Sequence, residues 1–204
     1  MDEKGCPKTQ AYALDDWAVS NLAAILNHTS DFEMFRNRSA NWKTQFHPST
    51  FMCPKTKAGE WECPPIWTNV FDKRYVEGDA WHYRFNAPHD GFALVQMYNS
   101  SEYFVEQLDY FFNASLDYRF NNFLPNPYYW AGNEEDLHAA YMFHWAHAPS
   151  YSQKWVRTVL ETKYSTDPLG IPGTALFGSS LSLSLVRFGA VSSDIHQETT
   201  TTVH

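Results

Sequence analysis

The sequence predicts a mainly α fold assembled from helical hairpins, and three observations carry that expectation. Apolar residues recur at helical spacing over 10–46 and again over 135–164. The first of these stretches breaks only at a gap of about three residues, which implies an antiparallel return. Strict period-two alternation, the mark of a strand, appears instead in SSLSLSLV at 179–186.

Residues 10–27 read as the first helix. Leu14, Ala18, Leu22 and Ile25 form its apolar stripe, with Asp15, Asp16, Ser20 and Asn21 elsewhere. Ser30 with Glu33 makes a capping box for a second helix. Phe32, Phe35, Ser39, Trp42 and Phe46 continue the stripe until Pro48 stops it. Pro48, Pro54, Gly59, Pro64 and Pro65 punctuate residues 47–79, where TFMCP and GEWECP suit a short β-ribbon. Pro88 interrupts any helix over 80–98. Residues 101–113 read as a helix with Phe104, Leu108 and Phe111 on one side, and 121–133 as a loop.

A second hairpin follows. Leu137, Tyr141, His144 and Trp145 share a face of its first helix. Its second helix opens with a capping box, Ser150 and Gln153, and carries Trp155, Val156, Val159, Leu160 and Tyr164. It ends at Asp167-Pro168, with Gly170 beyond. At least four substantial helices are therefore expected. The Ser/Leu- and Thr-biased segment 174–204 is expected to be a divergent, disordered tail.

Composition narrows the function. Fifteen Lys and Arg against 23 Asp and Glu leave a net charge of −8, which disfavours nucleic acid and anionic membranes as partners. No run of 18 apolar residues is present to span a membrane, and MDEKGCPKTQ lacks the apolar stretch of a secretory signal. The aromatic richness, 15 Phe, 12 Tyr and 8 Trp, suits either a large core or a sugar-binding cleft. Of three cysteines, Cys53 and Cys63 flank a turn-like stretch and can pair in an oxidising compartment. No zinc-type spacing accompanies them. Four sequons, at Asn27, Asn37, Asn99 and Asn113, point to a secreted protein whose native start is not Met1.

Chemistry concentrates in three loop segments, VEGDAWHY at 76–83, PHD at 88–90 and WAGNEEDLH at 130–138. Glu77 sits among Tyr75, Trp81 and Tyr83. Rings desolvate a carboxyl and raise its pKa, which suits a general acid; the plain alternative is an exposed loop glutamate. His89 and Asp90 are either a clamp for sugar hydroxyls or an anchor for their loop. Asn133 and Glu134, with Glu135 and Asp136, offer hard oxygens for Ca²⁺, or acidic side chains matched to a helix dipole. His144 and His147, at i and i+3, could touch, but a metal would need a third ligand that the sequence does not show; with His138 they read as core and edge histidines. There is no G-x-S-x-G, phosphate loop or Cys/His nucleophile signature.

Four strings in this order resemble the α-mannosidases of glycoside hydrolase family 92. They are YALDDWAVSNLA at 12–23, VEGDAWHYRFNAPHDGFALV at 76–95, WAGNEEDLHAAYMF at 130–143 and VRTVLETKYSTDPLGIPG at 156–173. The resemblance implies that 1–173 is the C-terminal part of a catalytic domain, a partial (α/α)₆ toroid, and that a β-sandwich precedes it in the family. It implies inverting hydrolysis of α-mannosidic bonds in mannose-containing glycans, assisted by Ca²⁺, in a secreted protein. By position, Glu77 matches the general acid. Trp81, His89, Asp90, Trp130, Asn133 and Glu134 match residues that line the sugar site, and Asn133 and Glu134 also the calcium pocket. Glu77, His89, Asp90, Asn133 and Glu134 are expected to converge on one concave face lined by Trp81, Tyr83 and Trp130. One departure matters. After Pro172-Gly173 the family carries a carboxylate string such as NDD, from which the base comes; this chain has Thr174, Ala175 and Leu176. An inverting glycosidase needs a base as well as an acid, so the chain as written is expected to turn over poorly. A non-catalytic carbohydrate-binding homologue is the alternative.

Overall fold

A computed structural model describes residues 5–117 and 126–164. The expected tail at 174–204, the strand at 179–186 and the stop at Asp167-Pro168 lie outside the described residues. Six α-helices are present among the described residues: α1 (Gly5–Ile25), α2 (Thr29–Arg38), α3 (Ala80–Tyr83), α4 (Gly91–Gln96), α5 (Ser101–Asp117) and α6 (Pro149–Lys163). Turns of 3₁₀ helix cover Asn41–Gln45, Pro88–Asp90, Glu134–Asp136 and Ala139–Ala146. The mainly α expectation and its four long helices, α1, α2, α5 and α6, hold.

α1 and α2 form the expected hairpin, turned by Asn27 in the left-handed region (φ 59°). The face of α1 that packs inward is not the predicted one. Cys6, Gln10, Ala13, Asp16, Ser20 and Ala23 are buried, while Leu14, Leu22 and Ile25 are exposed. α1 is apolar on more than one side, so periodicity alone does not choose the face. Polar groups survive on the buried side because each finds a partner. Gln10 Nε2 donates to the carbonyls of Tyr83 (3.0 Å) and Asn86 (3.1 Å), and Arg38 Nε donates to Asp16 Oδ2 (3.0 Å).

α2 opens at His28 without a side-chain cap, so Ser30 falls inside the first turn and its capping box with Glu33 does not form. Phe32 and Phe35 are only half-buried. The stripe is completed after the helix, by Trp42 and Phe46, which are buried. α6 likewise starts with Pro149 in its first turn, where a missing N–H costs nothing, instead of the Ser150–Gln153 box. It buries Trp155 and Val159 as expected, with Leu160 exposed.

The segment before α6 winds more tightly than predicted. Over Ala139–Ala146 a 3₁₀ helix repeats every three residues. Ala140, Phe143 and Ala146 are thereby buried, along with Ala139 and Met142, and Trp145 is exposed. α5 keeps its predicted face, with Phe104, Leu108 and Phe111 buried.

The expected ribbon is reduced to two isolated antiparallel bridges, Phe46 with Met52 and Lys55 with Trp61. A disulfide joins Cys53 and Cys63, and Cys6 is free and buried. His47 brings a ring nitrogen into the same cluster, within 4.8 Å of both sulfurs, which the spacing did not reveal. With the sulfurs bonded to each other, neither is available as a thiolate ligand. The bridge spans a sequence separation of 10, and loop-closure entropy assigns it about 2.5–3 kcal/mol. Cys63→Ser is expected to lower the unfolding free energy by that amount in a denaturant titration. An unchanged midpoint would show that the bridge does not contribute.

Most of the aromatic residues serve the core. Arg84 lies among them, buried, with its guanidinium 4.2 Å from the Phe51 ring centroid and 4.6 Å from that of Trp81. It donates to the Thr50 carbonyl (2.9 Å) and to Gln107 Oε1 (3.0 Å), so a buried cation is satisfied by neutral oxygens and ring faces.

Candidate active site

The segment entering α3 forms one wall. Asp79 caps the helix, its carboxylate accepting from the Trp81 N–H at 2.8 Å. Its own N–H donates to His82 Nδ1 at 2.9 Å, which closes a capping box. Nδ1 can accept this bond only in the neutral ring, whose proton then sits on Nε2; in the charged ring Nδ1 faces Asp79 Oδ1 instead, at 3.3 Å. Just before the cap, Glu77 adopts φ 53°. A residue with a Cβ is uncommon there, and the conformation costs about 1 kcal/mol.

Residues 126–136 form the second wall. Asn133 N–H donates to the Trp130 carbonyl (3.0 Å), and Asp136 N–H to the Asn133 carbonyl (3.2 Å). Asp136 Oδ2 in turn accepts from the Trp130 N–H at 2.9 Å. This winding buries Asn133 and leaves Glu134 exposed. Asn133 Nδ2 donates to the Glu77 carbonyl at 3.4 Å, joining the two walls and supporting the strained residue. Glu77, Trp130, Asn133 and Glu134 thus lie on two loops in contact.

Other candidates are placed differently. Glu77 is exposed and is not enclosed by the rings of Tyr75, Trp81 and Tyr83. Trp81 is buried between Tyr110, Phe111 and Tyr128, with Arg84 near its ring, because the core takes up its faces. It is a floor beneath the loops, not an open platform. Tyr83 is buried too, with only its hydroxyl reaching the second wall. His89 Nε2 donates to the Ser39 carbonyl at 3.0 Å. Asp90 Oδ2 accepts from Trp42 Nε1 (3.3 Å) and Lys43 Nζ (2.9 Å). Both side chains therefore fasten their loop to the turn after α2, which is the anchoring alternative. The contacts of His89 and Asp90 are with the turn after α2, and those of Glu77 and Asn133 are with each other. His138 is likewise structural, donating from Nε2 to the Phe85 carbonyl at 3.1 Å.

Two features of the site were not assigned from the sequence, where Glu135 and Asp136 entered only as hard oxygens or as acids matched to a helix dipole. The first is Glu135, whose carboxyl is pushed up by burial. Tyr83 Oη lies 2.8 Å from the Val76 carbonyl and 2.9 Å from Glu135 Oε1. A hydroxyl has one proton, so both contacts are hydrogen bonds only when Glu135 is protonated. The desolvated carboxyl expected at Glu77 is found here. The second is a fully enclosed cluster, with His82 Nδ1 3.3 Å from Asp79 Oδ1 and His82 Nε2 3.6 Å from Asp136 Oδ2. The Asp79–His82 spacing was a legible capping signal; Asp136 comes from a distant segment and left none.

Burial pushes Asp136 up to about 8, although His82 opposes it. For His82 burial acts downward, but Asp136 and Asp79 outweigh it and raise the ring to about 9. Both shifts mean that the folded cluster keeps a proton the unfolded chain releases. A group whose folded pKa is raised stabilises fully below its unfolded pKa, about 3.9 for Asp, and loses that stabilisation as pH climbs through the folded value. Stability is thus expected to fall as pH rises from about 4 to about 9. Asp136→Asn should flatten that slope in thermal unfolding at a series of pH values. An equal slope in the variant would refute the assignment.

Comparison with known proteins bears on the fold and the family. The description "Glycosyl hydrolase family 92 catalytic domain" fits residues 2–182. The "uncharacterized secreted glycosidase" of Arthroderma benhamiae is 23% identical over 189 residues, covering 81% of this chain and 23% of that protein. A family 92 α-mannosidase from Bacteroides thetaiotaomicron, solved with mannoimidazole, superposes with a TM-score of 0.76 at 25% identity. That match covers 88% of this chain and 25% of the other. A family 92 inverting mannosidase from the same bacterium superposes with a TM-score of 0.68 at 23% identity, over 79% of this chain and 24% of that one, and speaks for the fold alone. The chain spans about a quarter of the length of these relatives. Its helices are part of the (α/α)₆-type fold of family 92 mannosidases. A match over nearly the whole described chain, together with the helical likeness, places the protein in glycosyl hydrolase family 92, a family of glycosidases.

Proposed function

We propose that residues 1–173 are the catalytic-domain part of an α-mannosidase that hydrolyses α-mannosidic bonds in mannose-containing glycans with inversion. Glu77 is the proton donor to the leaving oxygen. The observation that carries this reading is the left-handed Glu77 turn, held by Asn133, which keeps an exposed carboxyl beside a second polar loop. Strain persists in folded chains where surrounding contacts fix it, and it gathers at functional sites. Trp130, Asn133 and Glu134 line the same place. His89 and Asp90 stay outside this assignment, because their polar atoms hold their own loop.

Calcium belongs to the proposal only in part. Asn133 and Glu134 offer hard oxygens, which suit Ca²⁺, but Ca²⁺ takes six to eight oxygen ligands. Among the described residues, His47, Cys53 and Cys63 bring one ligand atom each within 4.8 Å of one another, but their chemistry is wrong for Ca²⁺. Asn133 Oδ1 and the Glu134 carboxylate would be two ligands of a shell completed by water and sugar hydroxyls. When bound, the ion would hold those hydroxyls in place. Secretion fits the description of the Arthroderma relative and the disulfide, which needs an oxidising compartment.

The missing carboxylates after Gly173 limit the chemistry. With Thr174, Ala175 and Leu176 there, no side chain of that string accepts a proton from water. Calorimetric titration with mannoimidazole, with Ca²⁺ present, tests the sugar site, and hydrolysis of an α-mannobioside tests the chemistry. Saturable binding with slow turnover is expected. No binding would remove the mannoside reading, and fast turnover would show that a base is supplied elsewhere.

A further inference from the structure

Four sequons are written in the chain, and the fold treats them unequally. We propose that Asn27 and Asn99 carry N-linked glycans, and that Asn37 and Asn113 do not.

The modification joins Asn Nδ2 to the anomeric carbon of an oligosaccharyl diphosphate lipid. The N–C1 bond forms, the C1–O bond to diphosphate breaks, and the lipid diphosphate leaves with the electron pair. The amide gives up one proton to solvent. The transferase must reach the Asn amide and the hydroxyl two residues on together, and the product must have room outside the fold.

Asn27 meets both demands. It sits at the tip of the α1–α2 hairpin, exposed, with Thr29 exposed beside it. Its backbone takes the left-handed conformation of the turn (φ 59°). The tip is also unusually apolar, since Ile25 is 77% exposed and Leu22 and Leu26 are more than half exposed. A sugar chain, whose rings carry apolar C–H faces, has something to lie on there. Asn99 meets the same demands in the loop between α4 and α5, where Asn99 and Ser101 are both exposed. It borders a groove of about 550 Å³ that Phe92 and Trp145 line. These rings are 53% and 44% exposed and offer flat faces to the first sugars.

The other two sequons are engaged by the fold. Asn113 lies inside α5 and donates from Nδ2 to the Asp109 carbonyl (2.9 Å) and to Asp109 Oδ2 (2.7 Å). Its partner hydroxyl, on Ser115, is buried and bonded to the Phe112 carbonyl at 2.7 Å. Asn37 lies in the last turn of α2, and its partner Ser39 is buried with its hydroxyl bonded to the Arg36 carbonyl at 2.7 Å.

The test is to secrete the full 204-residue chain from a eukaryotic host behind a leader and release glycans enzymatically in ¹⁸O-water. Each formerly glycosylated Asn then reads as labelled Asp in peptide mass spectrometry. Label at Asn27 and Asn99, and none at Asn37 or Asn113, is expected. Thr29→Ala and Ser101→Ala should each remove one glycan from the intact mass while leaving the asparagines in place. An unlabelled Asn27 or Asn99 in folded, disulfide-bonded protein overturns the assignment, and so does label at Asn37 or Asn113 matching theirs.

Discussion

Replacing Glu77 by Gln is expected to slow hydrolysis of an α-mannobioside by about 10²-fold or more. The reasoning is chemical. A sugar leaving group departs poorly as an alkoxide and needs a proton in the transition state. Gln keeps the size of Glu and the backbone that Asn133 holds, but cannot deliver that proton. The loss should depend on the leaving group. An aryl mannoside bearing two nitro groups leaves without protonation, so Glu77→Gln should reduce its hydrolysis by no more than about tenfold. Single-turnover assays at high protein concentration make both ratios measurable when turnover is slow. Equal losses on both substrates would reassign Glu77 to binding. In that case Glu135, the carboxyl raised by burial beside Tyr83, becomes the next variant to make.

Gly78→Ala is expected to cost the fold about 3 kcal/mol or more, and to lower Tm by roughly 6–12 °C. A Cβ at Gly78 would stand 2.6 Å from His82 Nδ1 and 3.0 Å from Asn133 Nδ2. Both neighbours are buried and hydrogen-bonded, so neither can move aside without giving up a bond. The added methyl therefore breaks the His82 cap or the Glu77–Asn133 contact, and adds an unsatisfied polar group to the overpacking. Gly91→Ala is the informative contrast. Its Cβ would also collide, with the Trp145 ring, but that ring is partly exposed and can swing outward. A larger loss for Gly91→Ala in thermal unfolding would contradict this argument.

The helical class was legible because it rests on local spacing. The stripe of α5, with Phe104, Leu108 and Phe111, went inward as written. The α1–α2 hairpin followed from a gap too short for another path. The strings around Glu77 and Asn133 marked two loops, and a hydrogen bond joins them. What local spacing leaves open is which side of a helix meets the rest of the chain. α1 offered Leu14, Leu22 and Ile25, yet buried Gln10 and Asp16, because Tyr83, Asn86 and Arg38 arrive there with matching donors and acceptors. Winding is a second such choice. Over Ala139–Ala146 a three-residue repeat replaced the expected 3.6, and the buried face turned with it. The electrostatics of the site is the third. Asp79, His82 and Asp136 share one enclosure only after segments more than 50 residues apart are packed together, and burial is set by all the neighbours of a group at once. The amino-acid sequence by itself determined the helices, the loops that bear polar residues and the family to which they belong. Tertiary structure decided which faces are covered, which carboxyl is desolvated and which side chains merely hold a loop in place, because each of those depends on contacts between residues far apart in the chain.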